Sequence, residues 1–332
     1  SRYHKNGGIM KITILGCGAY GLALSEMFSL NNCDITMWTI LEEEKNELEK
    51  ERTNKKVLPN FKVNKSIKFT TDIQEAIKGS NLIVIAIPVK FVNNVVSQLA
   101  PIIKKSQHIC IASKGIEQGS LLFVSSIVNK AIKTKKIAVI SGGTFAIDMV
   151  AHVPMGLTLA TKNNSTEKLI IKTLQNKYLK LIPTKDIFGT EMYGAIKNVI
   201  AIASGMLDGL SLPESTKCMF ITKSLNDVMN LIYSMGGNKK TILTYAGLGD
   251  LLLTCNSTKS RNYSLGKLYG ERKPKKDIEY YINNTTIEGL YTLKSIHELI
   301  HKSNLKMHII DIIYDIIYNN AEITLLLDYL TK

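Results

Sequence analysis

Apolar residues fall in short continuous runs in the first half of this chain and in long helical repeats in the second. The runs KITIL (11–15), DITMW (34–38), LIVIAI (82–87), HICIAS (108–113) and KIAVIS (136–141) are rich in β-branched residues and show little polar alternation. That pattern belongs to strands buried on both faces, whereas a half-exposed strand would alternate. Helical spacing fills the intervals near 20–30, 41–51, 90–99 and 119–133. Strands separated by helices predict a doubly wound parallel sheet, an α/β domain. GLTLAT (156–161) and LKLIP (179–183) extend that sheet around a helix expected over 167–176. Beyond Phe188 the strand pattern stops, and helical patterns with many small residues run to the end, predicting an all-α C-terminal domain. The boundary falls near 187–190, which divides the chain into 10–189 and 190–332. Residues 1–9 fit no element and read as a disordered or vector-derived extension.

Composition supports two cores, since 332 residues with 45% hydrophobic content exceed what one core usually holds. The five cysteines are odd in number, scattered and without a CxxC pair, so neither a disulfide framework nor a zinc site is expected. A reducing compartment, the cytoplasm, fits them best. Net charge is +14, yet the lysines are spread widely and form no basic stripe with interleaved aromatics, so nucleic acid is not an expected partner. Arg2, His4, Lys5 and Lys11 precede an uncharged stretch over 12–25, as in a signal peptide. Gly16, Gly18 and Gly21 interrupt that stretch, which favours folded structure, and no run reaches the roughly 20 apolar residues of a membrane span.

The first chemical motif is GCGAYG (16–21), which ends the strand KITIL and opens a helix. Gly16 suits a tight turn, Gly18 a close backbone approach to a pyrophosphate, and Gly21 close helix packing, while the helix N-terminus attracts negative charge. Strand, turn and helix in that order predict a Rossmann-type dinucleotide site. Met37, Trp38, Thr39 and Ile40 stand where an acid would grip the adenosine ribose, and no Arg or Lys replaces it. Glu42, Glu43 and Glu44 just beyond would repel a 2′-phosphate, so NAD is expected, with NADP left open.

One lysine, Lys197, lies in TEMYGAIKNVIAIASGM (190–206), a run otherwise nearly free of charge. Burial of an ammonium lowers its pKa toward the range useful for proton transfer. A lysine at a helix edge would instead snorkel its amine to water. Three further groups follow strands or glycine-rich turns. They are Ser113-Lys114-Gly115, the small-residue loop 141–146, and TYAGLGDLLLTCNSTKSRN (244–262), which carries Asp250 and ends in Ser260, Arg261 and Asn262. A guanidinium flanked by hydroxyl and amide suits a phosphate.

From Met10 onward, GCGAYGLAL, LPNFKVNKSIKFTTDIQEAIKGSNLIVIAIP, ASKGIEQG, SGGTFA, EMYGAIKNVIAIASG, AGLGDLLLTC, SRN and IEG stand in an order that resembles the bacterial-type NAD(P)-dependent glycerol-3-phosphate dehydrogenases. The resemblance implies reversible hydride transfer between NAD(P)H and dihydroxyacetone phosphate, giving sn-glycerol 3-phosphate for glycerophospholipid synthesis. It makes Lys197 the general acid, with Asn198 and Asp250 beside it and Lys114 polarising the substrate. It puts Gly142, Thr144, Ser260, Arg261 and Asn262 on the substrate, the last three on its phosphate. It puts Gly16, Gly18, Ala19, Tyr20, Gly21, Trp38, Lys114, Ala146, Arg261, Thr286 and Glu288 on the cofactor. A homodimer formed partly by the helical domain is also implied.

The chain departs from the family at Gly143, where proline is usual and a looser loop is expected, and at Thr39-Ile40, where a basic pair is usual. His297 and His301 share a helical face, but no acid is spaced with them as in a known zinc motif, so no metal is expected. Another β-hydroxyacid-type dehydrogenase would share the layout, though not AGLGD and SRN. A catalytically silent NAD-binding protein would not need Lys114, Lys197 and Asp250 together.

Overall fold

The computed structural model describes residues 8–332. Of the extension expected over 1–9, only Gly8 and Ile9 lie within the described residues, and both are exposed and without regular structure. The chain folds as two compact units. One runs to Ser113 and resumes over Ser125–Ile140 and Thr144–Lys185, and the other gathers Lys114–Val124, Ser141–Gly143 and Asp186–Lys332.

In the first unit the apolar runs become strands β1 (Lys11–Leu15), β2 (Asp34–Trp38), β3 (Lys68–Thr70), β4 (Leu82–Ile85), β5 (His108–Ile111), β6 (Ile137–Ser141), β7 (Met155–Ala160) and β8 (Leu179–Thr184). They form one sheet in the order β3-β2-β1-β4-β5-β6-β7-β8. β1 pairs in parallel with both β2 and β4, so the chain order reverses beside it. That reversal is where open α/β sheets bind ligands, and the GCGAYG turn follows β1 directly. Helices α1 (Ala19–Leu30), α2 (Glu42–Glu51), α3 (Ile73–Ile77), α4 (Val89–Leu99), α5 (Val124–Ile132), α6 (Ala146–Val150) and α7 (Asn164–Leu174) connect the strands.

The apolar pattern did not predict β3, α3 or α6, each too short for a periodic signal. Local chemistry fixes α3, where the Asp72 carboxylate accepts from the Gln74 and Glu75 amides. The helix expected from 167 starts earlier, because the Asn163 side chain caps it by accepting from the Thr166 amide at 2.9 Å. The one expected over 119–133 starts later, after an antiparallel bridge between Ile116 and Phe123. Proline is tolerated at position 183 because β8 is an edge strand.

The second unit is built around α8 (Ile187–Gly209), of which nearly every residue from Gly189 to Leu207 is buried. A helix apolar on all sides must be enclosed by other helices. These are α9 (Glu214–Ser234), α10 (Asp250–Cys255), α11 (Arg261–Gly270), α12 (Lys275–Asn284), α13 (Glu288–Lys302), α14 (His308–Tyr318) and α15 (Leu325–Thr331). Its nearest partner is α11. Gly205 and Gly209 on α8 face the backbone of Tyr263 and Lys267, while Gly266 and Gly270 on α11 face that of Ile202 and Met206. No side chain separates the two backbones at these four positions, which fixes the start of α11 relative to Lys197. No described helix is long and apolar enough to cross a membrane.

Candidate active site

In the first unit, the turn after β1 has the form a dinucleotide phosphate needs. Gly16 adopts φ +118°, and a Cβ there would collide with the Ala86 carbonyl. Nothing lies within 4 Å of where a Gly18 Cβ would be, so the backbone there is open to approach. Gly18 is the N-cap of α1 but offers no side-chain acceptor, and the first turn holds no acid. The N-terminus of α1 therefore meets no capping side chain or acid of its own that would compete with an anion. A Cβ on Gly21 would collide with the Gly16 carbonyl, so helix and turn close directly on each other. Ala19 opens α1, and the Tyr20 hydroxyl lies 3.0 Å from Thr144 Oγ1, with Ala146 opening α6 two residues on. Trp38 is only 4% exposed, and its indole N–H donates to the Thr71 carbonyl.

The acid missing from the end of β2 arrives from the next helix. The Thr39 hydroxyl donates to Glu44 Oε2, and Asn54 Nδ2 donates to Glu44 Oε1 at 2.9 Å. The same Asn54 nitrogen donates to the carbonyl of Cys17, inside the glycine turn. Glu44 is thus tied to both the β2 end and the glycine turn, a placement that sequence spacing did not reveal.

In the second unit, one buried carboxylate holds two lysines. Asp250, 1% exposed, accepts from Lys197 Nζ at 2.5 Å through Oδ1 and from Lys114 Nζ at 3.0 Å through Oδ2. Lys114 also reaches the Gly142 carbonyl at 3.4 Å. The Thr254 hydroxyl, one turn along α10, donates to the Asp250 backbone carbonyl at 2.7 Å and approaches Oδ1 at 3.3 Å. The i,i+4 spacing of Thr254 from Asp250 is the one sequence signal for this contact.

One carboxylate neutralises one ammonium, so the second proton is held less firmly. Lys197 is pushed down to about 8, chiefly by burial and further by the Lys114 charge, against the pull of Asp250 and Glu288. Its side chain is 12% exposed, which excludes the snorkelling geometry.

Two glycines make room for this group. A Cβ at Gly194, one turn before Lys197, would lie 3.0 Å from Ser141 Oγ and 3.5 Å from the Lys114 stem. A Cβ at Gly143 would meet the Gly249 carbonyl at 2.8 Å and the Asp250 Cα at 3.2 Å. Gly143, where the family usually has proline, is therefore packed against the start of α10.

Asn198 Nδ2 donates to Glu288 Oε2 at 3.4 Å, at the first turn of α13. The Ser260 hydroxyl caps α11, and Asn262 Oδ1 accepts from the Gly289 amide at 2.8 Å. Arg261 is exposed at the first position of α11, and Thr286 is exposed before α13. Lys114, Gly142, Lys197, Asn198, Asp250 and Glu288 thus share one constellation, and Asn262 touches the residue after Glu288. Gly16, Gly18, Ala19, Tyr20, Gly21, Thr144 and Ala146 lie in the first unit, with Trp38 buried at the end of β2.

A family profile described as NAD-dependent glycerol-3-phosphate dehydrogenase N-terminus matches residues 11–167, and the corresponding C-terminus profile matches residues 186–328. The chain is 31% identical over 317 residues to an NAD(P)+ glycerol-3-phosphate dehydrogenase of Staphylococcus epidermidis, covering 95% of both chains. It is 32% identical over 314 residues to that of Fusobacterium nucleatum, covering 94% of this chain and 93% of the relative. The crystal structure of glycerol-3-phosphate dehydrogenase from Coxiella burnetii has a TM-score of 0.91 at 29% identity, covering 98% of this chain and 99% of that one. The Saccharomyces cerevisiae enzyme shares the fold, with a TM-score of 0.85 at 21% identity over 98% of this chain and all of that one.

Proposed function

The chain belongs to the NAD-dependent glycerol-3-phosphate dehydrogenase family, and from that premise we propose how its residues divide the reduction of dihydroxyacetone phosphate to sn-glycerol 3-phosphate. Bound NADH supplies the hydride to the carbonyl carbon. Lys197 gives its ammonium proton to the oxygen as negative charge develops there, and in the reverse direction its neutral amine takes the C2 hydroxyl proton. Lys114 keeps a second positive charge on that oxygen, and Asp250 orients both amines. The single observation that carries this reading is the Lys114–Asp250–Lys197 cluster, with Lys197 held near 8. A group whose pKa lies near the working pH serves as acid in one direction and base in the other.

Ser260, Arg261 and Asn262, at the N-terminus of α11, take the substrate phosphate in this reading, supported by the exposed guanidinium and the helix dipole. Gly142 and Thr144 line the substrate. Gly16, Gly18, Ala19, Tyr20 and Gly21 hold the cofactor phosphates, and Ala146, Thr286 and Glu288 flank the cofactor. Glu44 accepts the adenosine ribose hydroxyls and repels a 2′-phosphate, so NAD is preferred. Free thiols and exposed apolar side chains such as Leu243 and Tyr233 of the helical unit support a cytoplasmic homodimer.

The test follows NADH oxidation with dihydroxyacetone phosphate and with unphosphorylated dihydroxyacetone, using the native chain and Lys197→Met. The native chain turns over the phosphorylated ketone far faster, and Lys197→Met lowers kcat by roughly 100-fold or more while NADH still binds. Equal rates on the two ketones would remove the phosphate assignment. Intact turnover in Lys197→Met would move the acid role to Lys114.

A further inference from the structure

We propose that His297, His301 and Asp311 form a binding site for a transition-metal dication of the zinc class, which clips α13 to α14. The proposal is independent of the dehydrogenase reading. His297 and His301 lie one turn apart on α13, so both rings leave the same face. The acid that sequence spacing did not supply comes from the first turn of the next helix. Asp311 Oδ1 lies 2.9 Å from His301 Nε2 and 3.4 Å from His297 Nε2. Among the described residues this is the one place where ligand atoms of three His, Cys, Asp or Glu side chains all lie within 4.8 Å of one another.

Two of the three ligand separations lie near those of a coordination sphere, and the third falls within 4.8 Å. Zinc–ligand bonds of about 2.0–2.1 Å in tetrahedral geometry separate neighbouring ligand atoms by about 3.3 Å. His297 already stands at that separation from Asp311, and His301 lies a few tenths of an ångström closer to the carboxylate than that. The His297 ring is held in plane by stacking on Tyr314, with centroids 3.9 Å apart and 9° between planes. Asp315, one turn further along α14, adds negative charge that His297 feels. His301 is 57% exposed and Asp311 34%, so a hydrated ion can enter and keep water as its remaining ligand.

Two imidazoles and one carboxylate suit Zn2+, Ni2+ or Cu2+, whereas Mg2+ prefers an all-oxygen octahedron. Three ligands from two helices shorten the freedom of the 303–307 connection and tie the end of α13 to α14. Without metal, the same contacts amount to a His–carboxylate pair between helices, and the experiment separates the two.

Zn2+ is titrated by calorimetry into tag-free, chelator-stripped full-length protein, alongside His301→Gln, Asp311→Asn and Cys218→Ser. Thermal melts are recorded with and without Zn2+. The native chain and Cys218→Ser are expected to bind one Zn2+ per chain and to gain Tm on adding it, with Mg2+ producing no shift. His301→Gln and Asp311→Asn are expected to weaken binding beyond the roughly 10–100-fold that loss of an outer-shell partner costs, and to lose the Tm gain. Their Tm in metal-free buffer reports whether the fold survives, and His301 is exposed enough for glutamine to replace it. The proposal is overturned if the native chain binds no Zn2+. It is equally overturned if both ligand variants titrate like the native chain, or if binding disappears only in Cys218→Ser, which places the ion on the exposed cysteine.

Discussion

Asp250→Asn removes the charge shared by two lysines while nearly preserving shape, and its effect on pH dependence can be worked from the geometry. The carboxylate lies 2.5 Å from Lys197 and 3.0 Å from Lys114. An opposite charge that close moves a pKa by about 1–3 units, so its loss carries Lys197 from about 8 to about 6, taking the middle of the range. At pH 7 the ammonium fraction then falls from about nine-tenths to about one-tenth, and reduction slows about tenfold through protonation alone. The assay is kcat/KM for dihydroxyacetone phosphate at saturating NADH from pH 5 to 9, since this ratio reports the NADH-bound enzyme before it meets the ketone. The substrate phosphate titrates near pH 6, but its contribution cancels when the variant is divided by the native chain. That quotient should be flat near pH 5 and fall by about 100-fold by pH 9, the full extent of a two-unit displacement. Lost orientation lowers the whole curve without changing its slope. A quotient that is level across the range refutes the view that Asp250 sets the protonation of the reacting lysine. Stability carries its own signature. Lys197 is depressed from 10.5 to about 8, so between those values the unfolded chain binds more protons and folding stability rises with pH. Below pH 8 the cost of the buried ammonium is fully present.

Two further outcomes test the other parts. Glu44→Ser should lower kcat/KM for NADH by roughly tenfold, through loss of charge-assisted hydrogen bonds to the ribose, and raise it for NADPH. Steady-state kinetics with each cofactor read this directly, and an unchanged NADPH/NADH ratio would count against the role given to Glu44. Gly266→Ala places a methyl group against the Ile202 carbonyl and forces α8 and α11 apart. A destabilisation of about 2–3 kcal/mol is expected from such overpacking, and a calorimetric Tm equal to that of the native chain would show that the helices are not in contact there.

Much of the fold was legible because its strands are buried on both faces. KITIL and LIVIAI need no tertiary information to be read as interior strands, whereas KFT (68–70) is three residues at a sheet edge and carries no period. Lys197 was legible for the same reason, since a charge stands out in an apolar helix. What sequence spacing could not give were groups brought together by packing. Glu44 reaches the β2 end only because Thr39 and Asn54 turn its carboxylate inward. Asp311 meets two histidines only because α14 folds back on α13. Thr254 carries no sequence signal beyond its spacing because a helical threonine usually bonds its own backbone, and this one also faces a carboxylate. The two detours, 114–124 and 141–143, lie within the α/β half of the sequence and yet pack with the helical unit.

Those detours bear on how such an enzyme can be inherited or rebuilt from pieces. A gene segment encoding Asp186–Lys332 carries Lys197, Asp250 and the α11 terminus, but it leaves behind Lys114 and the Ser141–Gly143 loop that complete their surroundings. A single recombination crossover between relatives would therefore pair one parent's Lys114 with the other's Asp250. Chimeras should tolerate exchange best where the 114–124 and 141–143 segments travel with the helices, so the natural unit of exchange is three stretches of chain and not one.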